Sequence, residues 1–172
     1  MLMQVDGVIT AENRYPQNLE RAHDAVTKRI EQAKKDERQA SYVRRRAELS
    51  NFAWESDGLL IRAVEDDDEL YAEGKILHHC VYSYADRHCS GTTAIMVIRH
   101  EDKPDEPYFT LEFGEKELKV RQNRGLRNCA RTEEVQLFEN KWLDYVKEII
   151  SKENKRNGKR NRKSGDAERI GA

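Results

Sequence analysis

The 172-residue sequence contains no long apolar run. No stretch reaches the roughly 18 apolar residues that a membrane-spanning helix needs. Residues 1–10 lack the basic start and the apolar stretch of a secretory signal. The sequence therefore predicts no membrane association and a cytoplasmic location.

Cysteine is also scarce. Cys80, Cys89 and Cys129 are an odd number in a chain without an export signal, which argues against a disulfide framework and favours reduced thiols. His88, Cys89 and Cys129 are residue types that bind zinc. The sequence lacks the Cys-x-x-Cys and His-x-x-x-His spacings that are usual in a zinc site. We therefore assign no metal and no cofactor.

Apolar residues are few for a globular chain. Hydrophobic and charged residues each make up 37% of the sequence, which predicts a modest core surrounded by long solvated helices or disordered ends. Residues 152–169 have a net charge of +5 and the rest of the chain a net charge of −6. We predict a helical arm over residues 1–50, one core domain over residues 51–150 and a disordered basic tail over residues 151–172.

Neither Gly nor Pro interrupts residues 19–50, where small apolar residues recur at helical spacing. A helix of about 30 residues that begins near Leu19 is expected there, and it should bend, break near Asp36 or project. Further helices are expected after the acidic residues 65–69, ending at Gly74, and over residues 80–89. Thr132 should cap a last amphipathic helix.

Strands are predicted at residues 59–64, 93–99, 108–113 and 117–123, and the last two form a hairpin through Gly114. Apolar and polar residues alternate in these last two strands, which is typical of an antiparallel sheet. The 93–99 strand is apolar on both faces and should therefore be covered on both sides. The expected fold is α+β, a small antiparallel sheet of about four strands with helices on one face.

Two polar runs carry the residues typical of chemistry. The first is residues 77–84, with His78, His79 and Cys80, and the second is residues 121–129. Cys80 at a helix start has the setting of a nucleophilic thiolate, but a small buried cysteine packed in the core is the alternative that we favour. The two runs flank the predicted strands, so they can meet at one sheet edge.

Gln122 is in phase with Leu118 and Val120 and should therefore point toward the apolar face, where its amide needs partners. We predict that His79 and Asn128 provide them. The candidate catalytic set is then His79, Cys80, Gln122 and Asn128, with Arg124 on its rim. Glu112, on the other face, is expected to form a surface ion pair.

Basic residues supply a second candidate function. A cluster of arginines near the strand end suits a phosphate or carboxylate, and the tail adds sequence-independent affinity for DNA or RNA. The candidate anion-binding residues are Arg121, Arg124, Arg127, Lys159, Arg160, Arg162 and Lys163.

Several motifs over about residues 14–146 together resemble the PcfJ-like family of mobile-element and phage proteins. They are Pro16-x-Asn18-Leu19-x-x-Ala22-His23, Glu73-Gly74-x-x-Leu77-His78-His79-Cys80-Val81, Pro107-Tyr108-x-Thr110-Leu111-Glu112, Gln122-x-Arg124-Gly125-x-x-Asn128 and Val135-x-x-Phe138-x-x-x-Trp142. The resemblance implies a role beside plasmid or phage DNA processing, with a relaxase or a coupling protein as possible partner.

Two functional hypotheses follow. The first is an accessory protein of a mobile element that binds nucleic acid or a nucleoprotein partner. The alternative is a transferase or hydrolase that uses the His79, Cys80, Gln122 and Asn128 constellation. Convergence of the two polar runs on an open cleft would favour the enzyme, and a buried, mutually hydrogen-bonded set would indicate a structural polar core.

Overall fold

The computed structural model describes residues 19–169 and the side chains of residues 21–156. Three short 3-10 turns, Ser50–Phe52, Val81–Tyr84 and Leu126–Asn128, connect the main elements. In chain order these elements are α1 (Leu19–Glu48), β1 (Trp54–Ser56), β2 (Leu59–Ala63), α2 (Asp67–Leu77), α3 (Ala85–Cys89), β3 (Ala94–His100), β4 (Phe109–Gly114), β5 (Lys119–Arg124) and α4 (Glu133–Arg169).

The chain separates into two compact units, with the boundary between Ser41 and Tyr42. In the first unit, α1 is continuous through Asp36, whose carboxylate accepts a hydrogen bond from the Gln32 side chain at 2.8 Å. A break at Asp36 is therefore excluded. The last turns of α1 belong to the second unit. The predicted subdivision at residues 50 and 150 stays a prediction.

The second unit contains an antiparallel sheet in which all five strands follow their chain order. The α+β class is confirmed, and the sheet has one strand more than expected. The extra strand is β1, which pairs with β2 through a turn at Asp57 and Gly58, both with positive φ. Such a two-residue turn matches the twist of its strands. Strand β1 was not predicted because its three residues are too few to show an alternating pattern.

Helices cover both faces of the sheet, and the predicted single covered face is wrong. One side, the α4 face, packs Phe109, Leu111 and Phe113 of β4 against Trp142 and its neighbours on α4. The other side, the α2 face, packs Ile95 and Val97 against α2, α3 and the end of α1. This agrees with the expectation that the central strand is covered on both sides.

Helix α4 begins where predicted, because the Thr132 hydroxyl accepts a hydrogen bond from the Val135 N–H at 3.3 Å. It continues to Arg169, past residue 151, where the sequence predicts that the basic tail begins. Extending an existing helix avoids the cost of nucleation, and residues 152–169 contain eight Lys and Arg, which favour helices. The packed first half therefore provides the start that a separate tail would lack.

Candidate functional site

Helix α2 places the first polar run. The Asp66 carboxylate caps its start by accepting from the Glu69 N–H at 2.7 Å, and His78 ends it in a left-handed conformation with φ 54°. The His79 N–H then donates to the Gly74 carbonyl at 3.1 Å. The chain thereby turns sharply, and the His79 side chain enters the α2 face of the sheet.

Gly74 lies inside α2. The prediction that the helix ends at this glycine is therefore wrong. A Cβ atom at this position would be 3.0 Å from the carbonyl oxygen of His79. The glycine is needed for the close approach of the His79 segment to the helix, because real Cβ atoms are rarely so near a backbone oxygen. The helix itself tolerates one glycine at a cost of about 1 kcal/mol.

A β-bulge places Gln122 on the α2 face. Phe113 pairs with Val120, but Glu112 pairs with Gln122, so Arg121 is the extra residue. Such an insertion turns the following side chains to the opposite face. The prediction that Gln122 faces the apolar side is therefore wrong: its side chain is exposed, and Asn123 occupies the α4 face instead.

Asn128 returns to the end of β5 through a tight loop. The Gly125 N–H donates to the Cys129 carbonyl at 3.2 Å, and both Arg127 and Asn128 have positive φ. A Cβ atom on Gly125 would lie 2.8 Å from the Phe109 ring. Glycine at this position therefore lets the loop pack onto β4 and carry Asn128 back across the strand end.

The two polar runs converge on one open pocket of about 50 Å³, called here the His79 pocket. The predicted convergence of His79, Gln122 and Asn128, with Arg124 beside them, is confirmed, and Cys80 lies there too. The pocket is lined by His79, Cys80, Val81, Tyr84, Ile95, Thr110, Glu112, Gln122, Arg124 and Asn128.

His79 is the member of this set with unused hydrogen-bonding capacity. Both of its ring nitrogens are buried, and neither has a partner within the described part of the chain. Burial lowers the pKa of His79 below its usual value. The imidazole is therefore neutral at pH 7, with one N–H to donate and one lone pair to accept a proton.

Cys80 is exposed, so the prediction of a buried core cysteine is wrong. It lies directly before the 3-10 turn Val81–Tyr84. The Gln122 amide donates a hydrogen bond to the Tyr84 hydroxyl at 3.3 Å. The thiol, the hydroxyl and the amide are all accessible to a bound group.

Glu112 is buried, whereas a surface ion pair was expected. One of its carboxylate oxygens accepts hydrogen bonds from Thr93 at 3.0 Å and from Arg87 and Arg121 at 3.3 Å each. Arg121 also donates to Glu117 at 2.9 Å. The charge of Arg121, predicted to bind an anion, is thus already compensated by two carboxylates.

A buried charge network supports the floor of the pocket, and the sequence analysis missed it. Thr110, which lines the pocket, donates its hydroxyl hydrogen to Glu73 at 2.5 Å. Glu73 also accepts from Arg99, which donates in addition to Glu69 at 3.2 Å. Burial raises the pKa of Glu73 although Arg99 opposes the shift. The signal was available, since Glu73 is in helical phase with Leu70 and Leu77.

The remaining predicted residues lie apart from the pocket lining. Arg127 is exposed on the turn beside Asn128. Lys159, Arg160, Arg162 and Lys163 are in the helical backbone of α4, in the stretch whose side chains lie outside the described residues.

The described residues contain no cluster of three or more His, Cys, Asp or Glu side chains that could hold a metal ion. None of the helices in this part of the chain is both long and apolar enough to cross a membrane.

Comparisons with known proteins agree with the motifs. The family model described as PcfJ-like protein matches residues 1–139. A Listeria innocua protein named "Uncharacterized protein Lin1253/Lin1744" is 31% identical over 134 residues, which cover 77% of this chain and 29% of that protein. The chain thus spans less than a third of its relative's length. No solved structure matches it.

Proposed function

The chain belongs to the PcfJ-like family, and on that premise we propose that it is a hydrolase or transferase of a mobile genetic element. It acts at the His79 pocket on a nucleic-acid or nucleoprotein substrate. The proposed setting, conjugation or phage DNA processing, rests on the resemblance to the family, and the proposed chemistry rests on the pocket.

One observation carries this proposal. Both ring nitrogens of His79 are buried at an open pocket, and neither has a hydrogen-bond partner among the described residues. An unpaired buried polar atom costs about 1–3 kcal/mol, and a structural polar core would have paired it with Gln122 or Asn128. A pocket that binds a ligand at this histidine recovers the cost when it is occupied.

The residues have distinct roles in the proposed reaction. Neutral His79 accepts a proton from a water molecule or a substrate hydroxyl and so acts as the general base. The Arg124 guanidinium and the Asn128 amide donate hydrogen bonds to the oxygen on which negative charge develops. In a transfer reaction, the Cys80 thiol gives its proton to His79 as its sulfur attacks the substrate, the departing group leaves with that proton, and a water molecule or an acceptor hydroxyl then releases the group bound to sulfur.

A second candidate is an accessory protein that binds nucleic acid without catalysis. It is favoured by the continuation of α4 through residues 152–169, which carry a net charge of +5. A basic helical segment attracts the phosphate backbone independently of sequence. A relaxase or a coupling protein would be the partner in this role, and either candidate would act in the cytoplasm.

The test is a turnover assay with labelled single-stranded DNA, duplex DNA and RNA. We expect His79→Ala to lower the rate at least about 100-fold, since a general base contributes on the order of 10²–10⁴. The matched control is His78→Asn, because His78 is an exposed neighbour that does not line the pocket and Asn tolerates its left-handed backbone.

The wild-type rate should also fall with falling pH, but at a lower pH than for an ordinary histidine, because burial lowers the pKa of His79 and only its protonated form cannot accept a proton. The enzymatic proposal fails if no substrate is turned over, or if His79→Ala is as active as His78→Asn. Retention of oligonucleotide binding in that case would favour the accessory protein.

A further inference from the structure

The floor of the His79 pocket is formed by two cross-strand pairs of β4 and β5. Thr110 pairs with Arg124, and Glu112 pairs with Gln122. Residues two apart on a strand point to the same face, and all four of these residues line the pocket. Directly opposite neighbours lie about 5 Å apart and diagonal neighbours about 7 Å. Glu112 and Arg124 are thus diagonal neighbours of opposite charge on one floor.

The Glu112 carboxylate has one oxygen available to a ligand. All three hydrogen bonds that it accepts within residues 21–156 are accepted by Oε1, from Thr93, Arg87 and Arg121. Its ion pairs with the two arginines use the same oxygen. An ion-paired carboxylate has no hydrogen to donate. Oε2 therefore presents a negatively charged acceptor to a group that enters the pocket.

Thr110 adds a second acceptor to this floor. Its hydroxyl hydrogen is donated to the buried Glu73 at 2.5 Å, which leaves the Thr110 oxygen with lone pairs only. A group bound at the floor must therefore offer hydrogens. The oxygens of a phosphate or a carboxylate are all acceptors, and their negative charge would be repelled by Glu112.

The other side of the floor offers hydrogens. Arg124 is exposed and has only donors, and the ion pairs of Glu112 are with Arg87 and Arg121 and not with Arg124. Burial lowers the pKa of His79, so its ring lacks the positive charge that would attract an anion. The pocket thus suits a neutral group that donates from one atom and accepts at another.

The size of the pocket limits the group further. A volume of about 50 Å³ holds a few non-hydrogen atoms, since one water molecule needs about 10–15 Å³ of such space. The three polar-group atoms of a primary carboxamide fit, whereas a nucleobase does not. Its NH2 has two hydrogens for the two acceptors of the floor, and its oxygen is a separate acceptor. A hydroxyl has one hydrogen and uses one oxygen for both purposes.

We propose that the His79 pocket is a binding subsite for a primary carboxamide, the group that asparagine and glutamine side chains carry. The NH2 donates to Glu112 Oε2 and to the Thr110 oxygen, and the carbonyl oxygen accepts from Arg124. The inference rests on the proposed function in that this group is the part of the nucleoprotein substrate that reaches His79. It assigns that part to the protein component and not to the nucleic-acid backbone.

The experiment is a titration of the isotope-labelled full chain with acetamide, acetate and inorganic phosphate at pH 7, followed by the NMR signals of the His79 ring and the Asn128 side-chain amide. Acetamide and acetate have nearly the same shape and differ in the NH2 group. Acetamide should bind with millimolar affinity, as expected for four non-hydrogen atoms. Acetate and phosphate should bind at least about 10-fold more weakly, because they place acceptors against Glu112.

Glu112→Gln tests the charged acceptor. The affinity for acetamide should fall about 5- to 10-fold, because a hydrogen bond to a charged group is roughly twice as strong as a neutral one. The affinity for acetate should rise, and a purely structural role of Glu112 would not reverse the preference between the two probes. The NMR spectrum itself shows whether this variant folds.

Arg124→Gln provides a second test at an exposed residue. It should weaken acetamide binding several-fold, because the carbonyl oxygen loses a charged donor. Lys119→Gln, which removes an exposed cation from the same strand outside the pocket lining, is the matched control and should have no effect.

Three results would each refute the subsite. Acetate or phosphate binds the wild type as tightly as acetamide does, none of the three compounds shifts the His79 signals, or Arg124→Gln and every folded Glu112 variant bind acetamide as the wild type does.

Turnover separates this inference from the proposed function. If acetamide binds as expected but His79→Ala and His78→Asn do not differ in any turnover, the enzymatic proposal fails and the subsite stands. If turnover depends on His79 but the pocket prefers phosphate to acetamide, the subsite fails and the enzyme stands.

Discussion

The two faces of the sheet differ in what they bury, although the mainly apolar α4 face also encloses one polar pair, in which Asn123 donates to Glu139 at 2.8 Å. On the α4 face, Phe113 stacks edge-on against the buried Trp142 with ring centroids 5.0 Å apart, and Trp142 donates its indole N–H to the Phe52 carbonyl at 2.7 Å. On the α2 face, charged and imidazole groups are buried beside apolar ones, and His79, His88 and Arg99 each have a buried nitrogen with no partner in the part of the chain that the structure describes.

This difference has a physical consequence. An apolar, closely packed face contributes stability through area removed from water, whereas buried ion pairs often contribute little net stability after their desolvation. The α4 face therefore contributes most to the stability of the fold. The α2 face places polar side chains in buried positions that add little to stability. Unpaired buried polar atoms at an open pocket are typical of function.

The largest expected effect is on the α4 face. Trp142→Ala should lower the free energy of unfolding by about 3–5 kcal/mol, through lost burial and the cavity that remains. Urea unfolding measures this, with Leu137→Ala, an exposed site on the same helix, as the control. A loss below about 1 kcal/mol would show that the α4 face does not dominate stability.

A pH-dependent effect tests the α2 face. His88 is buried on α3, and its Nδ1 accepts from the Ile95 N–H at 3.0 Å. Burial, aided by the charge of Arg45 and opposed by Glu48, lowers its pKa to about 4. In the unfolded chain the His88 imidazole takes up a proton near pH 6.5, whereas in the folded chain it does so only near pH 4. The free energy of unfolding therefore falls as the pH falls through this window.

The loss due to His88 should reach about 3 kcal/mol at pH 4 relative to pH 7. His88→Gln, whose amide oxygen can replace the acceptor, should remove most of this pH dependence in urea unfolding curves. His23→Gln, at a histidine whose side chain is 78% exposed, should leave it unchanged. Equal pH profiles for wild type and His88→Gln would contradict the assignment.

The smallest expected effect on stability comes from the pocket itself. Gln122→Leu should change the free energy of unfolding by no more than about 0.5 kcal/mol, since Gln122 is exposed and donates one long hydrogen bond to Tyr84. It should nevertheless impair turnover, because the amide faces the His79 pocket. Gln136→Leu, an exposed site on α4, controls for added surface apolarity.

A loss of more than about 1 kcal/mol in the free energy of unfolding of Gln122→Leu, with no loss of turnover, would contradict this contrast between the two faces. Gln122 would then belong to a structural network, and the α2 face would differ from the α4 face in polarity alone.

Periodicity explains what could be predicted. The stripe on α4 and the alternation in β4 each depend on the local repeat of the backbone, so Phe113 and Trp142 could be placed on a buried face from their spacing. The same reasoning failed at Gln122, because one bulged residue reverses every side chain after it. Glu73 was overlooked since an acidic residue on a helix is normally solvated, and only Arg99 and Thr110, distant in sequence, permit its burial.

The sequence by itself determined the α+β class, the antiparallel hairpins and the capped last helix, because these follow from local repeats and short connections. Only the tertiary structure decided which face of the sheet each residue occupies, that the ring nitrogens of His79 are buried with no partner within residues 21–156 while Cys80 is exposed, and that Glu73 lies under the pocket. Those outcomes depend on a bulge and on contacts between segments far apart in the chain, and the energies of such contacts leave no mark in local sequence.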